Sequence, residues 1–485
     1  MPVDPNTPVL VGVGAVSLDD EPVALMAAAV REAVADAGID AVRTAIDTVI
    51  VPQGTWRYPD PGRLVAGRLG VPGARTHFGE LGVSQQTLVN EALLAVSTGR
   101  SAVAVVVGAD ARAWARHPDA RETEQPAGTA PDEVHRRDAD LLDPAELSAG
   151  VVVPVQQYAM IDNALRHAEG RTPVEQRADI AELWARYNAV AATNPVAAFP
   201  APRSAEWLAT AGPDNRPLAF PYNKWHASQW TVDQGAALIF CTAGTARRLG
   251  VAEDRWVYPL VAIDADYSVS LSRRRHLHRW PAMAALGRAA EARLGRSVAS
   301  VDLLEVYSCF PSAVRVQQRE LGLPADRTPT VTGGMPFAGG PFNNFVYQAT
   351  AAMVPELRRH PGTIGAVTTV CGLLTKPGLA VWSTEPDGRP PLVADLARQA
   401  ADDTPTVDVV DGHRGPATVA SYTVTYDGAD PARTVVLADL PDGRRCVTAS
   451  DDRDVAAHAT TDELIGTAIA VDGPTFTLAA RTTGP

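Results

Sequence analysis

Four cysteines are the most reactive side chains of this chain, and their spacing limits the chemistry that they can do. Cys241, Cys309, Cys371 and Cys446 lie far apart, and no two of them form a CxxC pair. This spacing fits neither a disulfide framework nor a zinc site, so we predict free thiols, no metal centre and a reduced, cytoplasmic protein. A lone cysteine is more often a small buried apolar group, although Cys371 is also a candidate for moving protons.

Two further candidates for chemistry stand where a predicted strand or turn meets a helix. The apolar strand DLLEVY ends at Tyr307, and ligands bind at the carboxyl ends of strands in open α/β sheets. This phenol is either an acid, base or hydrogen-bond donor, or a buried tyrosine with a satisfied hydroxyl. Asn343 and Asn344 open a helix after the Gly-rich turn VTGGMPFAGGP, so they either cap that helix or orient a carbonyl or a water.

Alternating strands and helices must position these side chains. The strand patterns VLVGVGAV, DTVIV and Val103–Val107 alternate with helix patterns at Glu21 to Ala37 and Ser84–Thr98, which predicts an α/β layer with a mostly parallel sheet. A second set of strands and helices repeats the order of turn, helix, buried strand and glycine. The sequence therefore predicts two similar α/β halves.

Composition divides the chain into segments. The first α/β half is predicted at 1–250 and contains a mostly helical insertion at about 112–230, and the second half is predicted at 251–386. A linker is predicted at 387–401. From 402 to 485, apolar and polar residues alternate around Asp-Gly turns, which indicates a small antiparallel β domain, either a sheet or an OB-like barrel.

The overall charge excludes several classes of partner. The chain has 485 residues, with 43 Lys+Arg against 56 Asp+Glu and a net charge of -13. Because it has no basic tract, it is a poor binder of nucleic acid or of an anionic membrane surface. The first residues have no basic region, and no stretch reaches about 18 apolar residues, so we expect no signal peptide and no membrane span. The Gly-rich stretches match no nucleotide-binding fingerprint.

Several local strings together resemble the thiolase superfamily over about residues 5–386. VYSCFPSAV is similar to the strand end where thiolases carry NEAFA and sterol carrier protein thiolases carry an HDCF-type variant. VTGGMPFAGGP resembles a Gly-rich run that ends in GHP, and VDQGAALI resembles the strand that closes the insertion. With its extra β domain, the chain resembles the actinobacterial thiolase-like proteins of type 1. The resemblance implies the five-layered α/β/α/β/α thiolase fold followed by a small C-terminal β domain.

The resemblance also implies which positions carry thiolase chemistry, and the chain departs from the family there. The nucleophilic cysteine falls at Gly82, the GHP histidine at Gly340 and the NEAFA asparagine at Tyr307. The CxG cysteine falls at Val370 or, one residue away, at Cys371. Without a thiol and its base, covalent acyl transfer through an enzyme thioester is not expected.

Two functions remain open on this basis. One is an enzyme that acts without covalent acylation on a lipid or steroid-derived acyl-CoA, for example by retro-aldol cleavage, with Tyr307, Cys371 and Asn344 as candidate catalytic residues. The other is a non-catalytic protein that binds acyl-CoA or lipid, because a fold is retained easily when chemistry is lost. In both, coenzyme A is a substrate or ligand, and no cofactor is expected.

The resemblance further implies where such a ligand makes contact. The candidate binding residues are Ser84, His226, Asn343, Gly340, Arg273 and Arg275. The helices that open near Ser84 and Asn344 are expected to point their N-termini into one pocket, where their N–H groups suit a thioester oxygen.

Each of the other candidates has a structural alternative. The basic cluster Arg273–Arg279 either holds the phosphates of coenzyme A or is a solvated face. His226 either contacts the ligand or is a structural histidine, and Cys309 is expected to be structural. Thiolases commonly dimerise through the strand after the nucleophile helix, here Val103–Val107, and the extra domain is able to alter that contact.

Overall fold

The computed structural model describes residues 3–136 and 142–479. The N-terminal half builds the first of its sheets. The strand order is β1-β8-β4-β2-β3-β5. These strands are β1 (Pro8–Ser17), β2 (Thr48–Pro52), β3 (Arg75–Gly79), β4 (Val103–Ala111), β5 (Glu133–His135) and β8 (Asp233–Thr242). The strands β4, β2, β3 and β5 run parallel, whereas β8 runs antiparallel between β1 and β4. The sheet is therefore mixed, because the strand that returns from the insertion enters it in the opposite direction.

The second sheet belongs to the other half and has the order β10-β11-β12-β9-β13. Its strands are β9 (Tyr258–Asp264), β10 (Leu303–Glu305), β11 (Ile364–Cys371), β12 (Lys376–Ser383) and β13 (Leu392–Asp395). Strand β13 pairs with β9 in parallel. The segment 387–401, which the sequence predicts to be a linker, thus contributes a strand to this sheet.

Helices form three layers around the two sheets, and further helices belong to the insertion and to the C-terminal part. The helices are α1 (Pro22–Ala37), α2 (Ala41–Thr44), α3 (Pro61–Leu69), α4 (Gln85–Ser97), α5 (Pro144–Ser148), α6 (Pro154–Ala168), α7 (Pro173–Ala191), α8 (Ala205–Ala209), α9 (Ala243–Leu249), α10 (Pro281–Leu294), α11 (Pro311–Glu320), α12 (Phe345–Arg359), α13 (Ala397–Asp403) and α14 (Arg453–Ala459). Helices α4 and α12 contact strands of both sheets, α1 and α3 cover the first sheet, and α10 covers the second. This order of layers confirms the predicted five-layered α/β/α/β/α fold.

A third sheet closes into a barrel in the C-terminal part. Its strands are β14 (Arg414–Asp427), β15 (Asp430–Asp439), β16 (Arg445–Ser450), β17 (Ala468–Asp472) and β18 (Thr475–Leu478). Because β14 pairs with both β15 and β17, the order β14-β15-β16-β18-β17 closes on itself. The predicted C-terminal β domain is confirmed, and five is the strand number of OB folds.

The barrel is joined to the insertion by a shared sheet. Strands β6 (Pro217–Ala219) and β7 (Tyr222–Asn223) extend the barrel sheet beyond β14. Helix α6 lies against β14, where Asn163 donates to the backbone oxygens of Phe220 and Tyr422 at 3.2 and 3.0 Å. Arg166, which is 1% exposed, pairs with Glu463 at 2.9 Å. The insertion and the barrel therefore form one continuous structure.

The structure leaves no place for a dimer in which Val103–Val107 pairs with a strand of a second copy, as was expected. This segment lies in β4, whose two edges are already hydrogen-bonded to β2 and β8. A second copy has no free backbone groups to pair with there. The free edge of this parallel set is β3, and β5 of the insertion covers it.

Within the part of the chain that the structure describes, no helix is long and apolar enough to cross a membrane.

Candidate functional site

The loop between β3 and α4 carries Gly82, where a nucleophilic cysteine was expected to be missing. Gly82 has φ 101°, a left-handed conformation that L-residues adopt only under strain. Its carbonyl oxygen accepts hydrogen bonds from Cys371 Sγ and from Lys376 Nζ, each at 3.3 Å. The backbone at this position is thus shaped for glycine, and its carbonyl is held by two side chains from the turn between β11 and β12.

At Gly340, where the histidine of the GHP motif was expected to be missing, Ser228 occupies the space that a side chain needs. A Cβ atom built on Gly340 would lie 1.9 Å from Ser228 Oγ, which is far inside van der Waals contact. Ser228 is fixed by its own backbone, which donates to Cys309 O at 2.9 Å, and Gly340 N–H donates to Gln229 O at 3.0 Å. The last segment of the insertion therefore occupies the volume that a side chain at position 340 requires.

Tyr307 lies where these loops meet, directly after β10. It is 7% exposed, and its ring packs edge-to-face on Phe345 with ring centroids 5.6 Å apart. Its backbone is fixed by Thr368 Oγ1 and Gln317 Nε2, but within the described residues its hydroxyl has no hydrogen-bond partner. Burial, followed by the neighbouring Cys309 and Cys371, raises the pKa of Tyr307 well above its usual range. The phenol is protonated at neutral pH and free to donate.

The groups around Tyr307 are hydrogen-bond donors rather than nucleophiles. Burial raises the pKa of Cys371 to about 11 and that of Cys309 to about 12, so both are thiols at neutral pH. Lys376 is 2% exposed and pairs with the exposed Asp266. Tyr158 of α6 stacks on Phe310 at 4.5 Å, and its hydroxyl lies 3.5 Å from Gly372 O. This arrangement suits the binding of a carbonyl oxygen or of an oxyanion.

The helix starts at Ser84 and Asn344 lie side by side. Ser84 caps α4 by accepting from Gln86 N–H at 3.3 Å, and Gln85 Oε1 accepts from Val346 N–H, in the first turn of α12, at 2.9 Å. Tyr347 completes the contact by donating to Gln85 O at 3.3 Å. The two N-termini come together as expected, but α4 itself satisfies a donor of α12 that was expected to face a ligand.

Both asparagines before α12 connect backbone segments. Asn344 is 1% exposed; with its amide oriented to suit its neighbours, it donates to Gly108 O at 3.0 Å and accepts from Ala236 N–H at 3.2 Å, which joins the start of α12 to β4 and β8. Asn343 donates to Gln53 O at 3.2 Å. The geometry favours a structural role for Asn344 over orientation of a substrate.

His226 also connects backbone segments. Its ring is completely buried, with Nδ1 accepting from Asn223 N–H at 3.1 Å and Nε2 lying 2.9 Å from Leu208 O. Burial lowers the pKa of His226 to about 4, so the ring is neutral. Both ring nitrogens are used by the backbone, and none is left for a ligand.

The basic segment between β9 and α10 is mostly paired. Arg273 pairs with Asp143 at 2.8 Å and Arg279 with Glu320 at 2.6 Å, while buried Arg274 donates to Val269 O at 3.2 Å. Arg275 is exposed and has no ion pair among the residues that the structure describes. A narrow cleft with a volume of about 20 Å³ lies behind the Cys371 turn, and its lining includes Arg274, His276, Arg279, Trp280, Leu374 and Thr375.

Sequence reasoning missed three groups that the structure brings to this region. Lys376 and Asp266 are distant in sequence, and no local pattern connects them. Glu305 had a usable signal, because a carboxylate in the middle of the apolar strand DLLEVY must be satisfied or neutral. It is completely buried and accepts from Val331 N–H at 2.7 Å and Thr332 N–H at 2.9 Å, so it holds the Gly-rich loop in place.

One comparison with known proteins matches the C-terminal part of the chain, and another matches nearly the whole chain. A family model described as the thiolase-like protein type 1 additional C-terminal domain matches residues 397–473. A monomeric SCP2-thiolase like protein type 1 from Mycobacterium smegmatis is 30% identical with a TM-score of 0.83, and the match covers 98% of this chain and 100% of that one. No curated protein matches the chain.

More distant structures match about four fifths of the chain. An acetyl-CoA acetyltransferase from Syntrophomonas wolfei is 17% identical with a TM-score of 0.58, and the match covers 79% of this chain and 100% of that one. The Ltp2-ChsH2(DUF35) aldolase is 21% identical with a TM-score of 0.57, and the match covers 79% of this chain and 99% of that one. At these identities the likeness is one of fold.

Proposed function

The chain belongs to the thiolase-like proteins of type 1, and from this premise we propose that it binds a coenzyme-A thioester without forming an acyl-enzyme. The observation that carries the proposal is the hydroxyl of the buried residue Tyr307, which is protonated, has no hydrogen-bond partner among the described residues and lies near Cys309 and Cys371. A free donor in such a place suits the carbonyl oxygen of a thioester.

The chemistry of the neighbours supports binding over acyl transfer. The acyl transfer of thiolases needs a thiolate and a base, and positions 82 and 340 supply neither. The nearby thiol of Cys371 is protonated and hydrogen-bonded to Gly82 O. The ammonium group of Lys376 adds positive charge beside the same oxygen. A carbonyl that develops negative charge is stabilised by such donors, whereas no attacking group is present among them.

The surface beside this narrow cleft supports a place for the polar end of coenzyme A. Arg275 is exposed there, next to the cleft residues His276 and Arg279. Arginine binds phosphate through paired, charge-assisted hydrogen bonds. The acyl part, of lipid or steroid origin, would then lie toward Tyr307 and the aromatic rings of Tyr158 and Phe310.

Calorimetry and thermal unfolding test this proposal. The full chain is titrated with coenzyme A, acetyl-CoA and long-chain acyl-CoAs, and a ligand at 100 times its Kd is expected to add about 2.7 kcal/mol of stability. Intact-mass measurement after incubation is expected to show no acylated cysteine. Arg275→Ala is expected to weaken binding, and Arg57→Ala is the matched control because it removes an exposed arginine elsewhere on the body. Absence of binding by every thioester, or an acyl adduct on Cys371, would contradict the proposal.

Retro-aldol cleavage is the second candidate, and an exposed carboxylate favours it. In this reaction a base takes the proton of the β-hydroxyl, the Cα–Cβ bond breaks, and its electrons pass to the thioester as an enolate that an acid protonates. Asp266, beside Cys371, is a possible base, and Tyr307 is the matching acid. The Ltp2-ChsH2(DUF35) aldolase shares the fold of this chain, which is a reason to test this reaction. A shorter acyl-CoA and a carbonyl product, formed from a β-hydroxyacyl-CoA and detected by mass spectrometry, would establish it.

We also propose that the protein works in the cytoplasm, where coenzyme A thioesters are made and thiols stay reduced. The four cysteines are all free, and three of them are buried. This composition is typical of reducing compartments.

A further inference from the structure

A group of four metal-ligating side chains lies at the edge of the first sheet, away from Tyr307. His77 comes from β3, Glu133 and His135 come from β5, and Glu91 comes from α4. One ligand atom of each lies within 4.8 Å of the ligand atoms of the other three. Three separate elements thus meet at one point through residues that the proposed function does not use.

His77 Nδ1 is hydrogen-bonded to Glu91 Oε1, but three other buried atoms of this group lack hydrogen-bond partners. His77 is 3% exposed, and its Nε2 has no hydrogen-bond partner although it faces Glu133 Oε2 at 3.8 Å. His135 Nε2 and Glu91 Oε2 approach to 2.5 Å without the geometry of a hydrogen bond, and both are unsatisfied. Buried polar atoms in native proteins are nearly always paired, so three such atoms facing one point indicate a missing partner.

The donor atoms of the group favour a cation. Glu91 and Glu133 offer carboxylate oxygens, and His77 and His135 offer imidazole nitrogens. Two imidazoles with two carboxylates form a set of nitrogen and oxygen donors that suits Zn²⁺ and related transition metals, whereas Mg²⁺ and Ca²⁺ prefer oxygen donors alone.

We propose that His77, Glu91, Glu133 and His135 bind one divalent transition-metal ion of the zinc type. The ion joins β5 to β3 and to α4, so it fixes the strand that covers the edge of the first sheet. It also supports the loop of Gly82, because the carbonyl of His135 accepts from Glu80 N–H at 2.9 Å, just before that loop. Because all four protein ligands are supplied, the site is closed and its role is structural.

Metal titration of the tag-free chain tests the site. The protein is stripped with a chelator, dialysed and titrated with Zn²⁺ by calorimetry, and one ion is expected to bind each chain. Co²⁺ is expected to give the visible bands of a four-coordinate centre with nitrogen and oxygen ligands. Hydrogen exchange of the amides in β5 is expected to slow when Zn²⁺ is added, which reports the joining of β5 to β3 directly.

Three variants make the test specific. His135→Ala removes a half-buried ligand, and Zn²⁺ affinity is expected to fall by more than about 100-fold, beyond the loss typical of outer-shell changes. His117→Ala removes an exposed histidine elsewhere and is expected to bind like the unchanged protein. If His135→Ala fails to fold, Glu133→Gln replaces it, because Glu133 is half-exposed and its amide keeps the same shape.

The competing arrangement is a hydrogen-bonded His–Glu–His array that needs no metal. It predicts no stoichiometric uptake of Zn²⁺, no cobalt bands and no effect of metal on the exchange of β5. Any of these results with folded protein, or equal Zn²⁺ affinity in His135→Ala and His117→Ala, would overturn the proposal. Failure of coenzyme-A binding would leave it standing, because the two sites share no ligand.

Discussion

Replacement of Glu305 by glutamine tests how the Gly-rich loop is held. Glu305 accepts two backbone N–H groups through one oxygen and the hydroxyls of Thr330 and Thr332 through the other at 3.0 Å. In Glu305→Gln the amide oxygen can keep the backbone bonds, and the amide nitrogen can donate to the two hydroxyls. The change therefore removes an ionisable proton while it retains the shape of the contact.

The magnitude follows from the pKa of the buried carboxyl. Burial, only partly offset by the loop's hydrogen bonds, raises the pKa of Glu305 from 4.5 to about 7. Between these two pH values the carboxyl of Glu305 is protonated in the native state and ionised in the unfolded state. The contribution of Glu305 to the free energy of unfolding is therefore full below about pH 4.5 and is lost as pH rises through 7. At about 1.4 kcal/mol per pH unit, the loss is about 3 kcal/mol. For a chain of this length it corresponds to about 3 °C in Tm.

Calorimetry at a series of pH values from 5 to 8 measures this effect as a difference between proteins. Titration of every other group is common to both and cancels, so the Tm of Glu305→Gln minus that of the unchanged chain is expected to rise by about 3 °C across the range. Glu182→Gln, on the exposed face of α7, is the matched control and is expected to show a constant difference. A pH-independent difference for Glu305→Gln would refute the assignment of a protonated, buried carboxyl.

Three further substitutions probe the site and its attachment. Tyr307→Phe removes only the hydroxyl; steady-state kinetics would show loss of any lyase turnover, while calorimetric affinity for coenzyme A is expected to change by about 1 kcal/mol or less. Gly82→Cys is not expected to restore thiolysis, because φ 101° strains the new residue by about 1–3 kcal/mol and Gly340 leaves no room for a base, and intact-mass measurement for an acyl adduct checks this. Arg445→Met leaves the backbone oxygens of Ser272 and Arg274 unpaired and is expected to cost about 1–3 kcal/mol in thermal unfolding, whereas Arg444→Met, at an exposed neighbour, is expected to be nearly neutral.

The body of the fold was predictable because its signals are local. Helices α1 and α4 match their predicted bounds to within one residue at each end, since Gly38 ends the first and Ser84 caps the second. The direction of β8 was not predictable in this way. It depends on how the insertion returns to the sheet, and this is a contact between distant segments. The wrong dimer contact has the same cause, because only the sheet order shows that β4 is an inner strand.

The candidate site was predictable in what it lacks and less so in what it contains. The absence of side chains at Gly82 and Gly340 is visible in the sequence, but the serine that fills the second position comes from a segment more than a hundred residues away. The pairing of Lys376 with Asp266 also has no local pattern. Glu305 is the exception, since a charged residue inside an apolar strand is a signal that sequence analysis can use.

The shared structure of α6 and the barrel has a consequence for how the chain is made. Asn163 and Tyr422, which are hydrogen-bonded in the folded protein, are 259 positions apart in the sequence. During synthesis α6 is complete long before β14 leaves the ribosome, so its Arg166 and Asn163 lack their partners Glu463 and Tyr422 until the last part is translated. Contacts of such long range form slowly, and incompletely folded chains aggregate through the apolar surface that they expose. We expect chains that end between residues 396 and 413 to be retained by chaperones or degraded, even though they contain every strand of both central sheets.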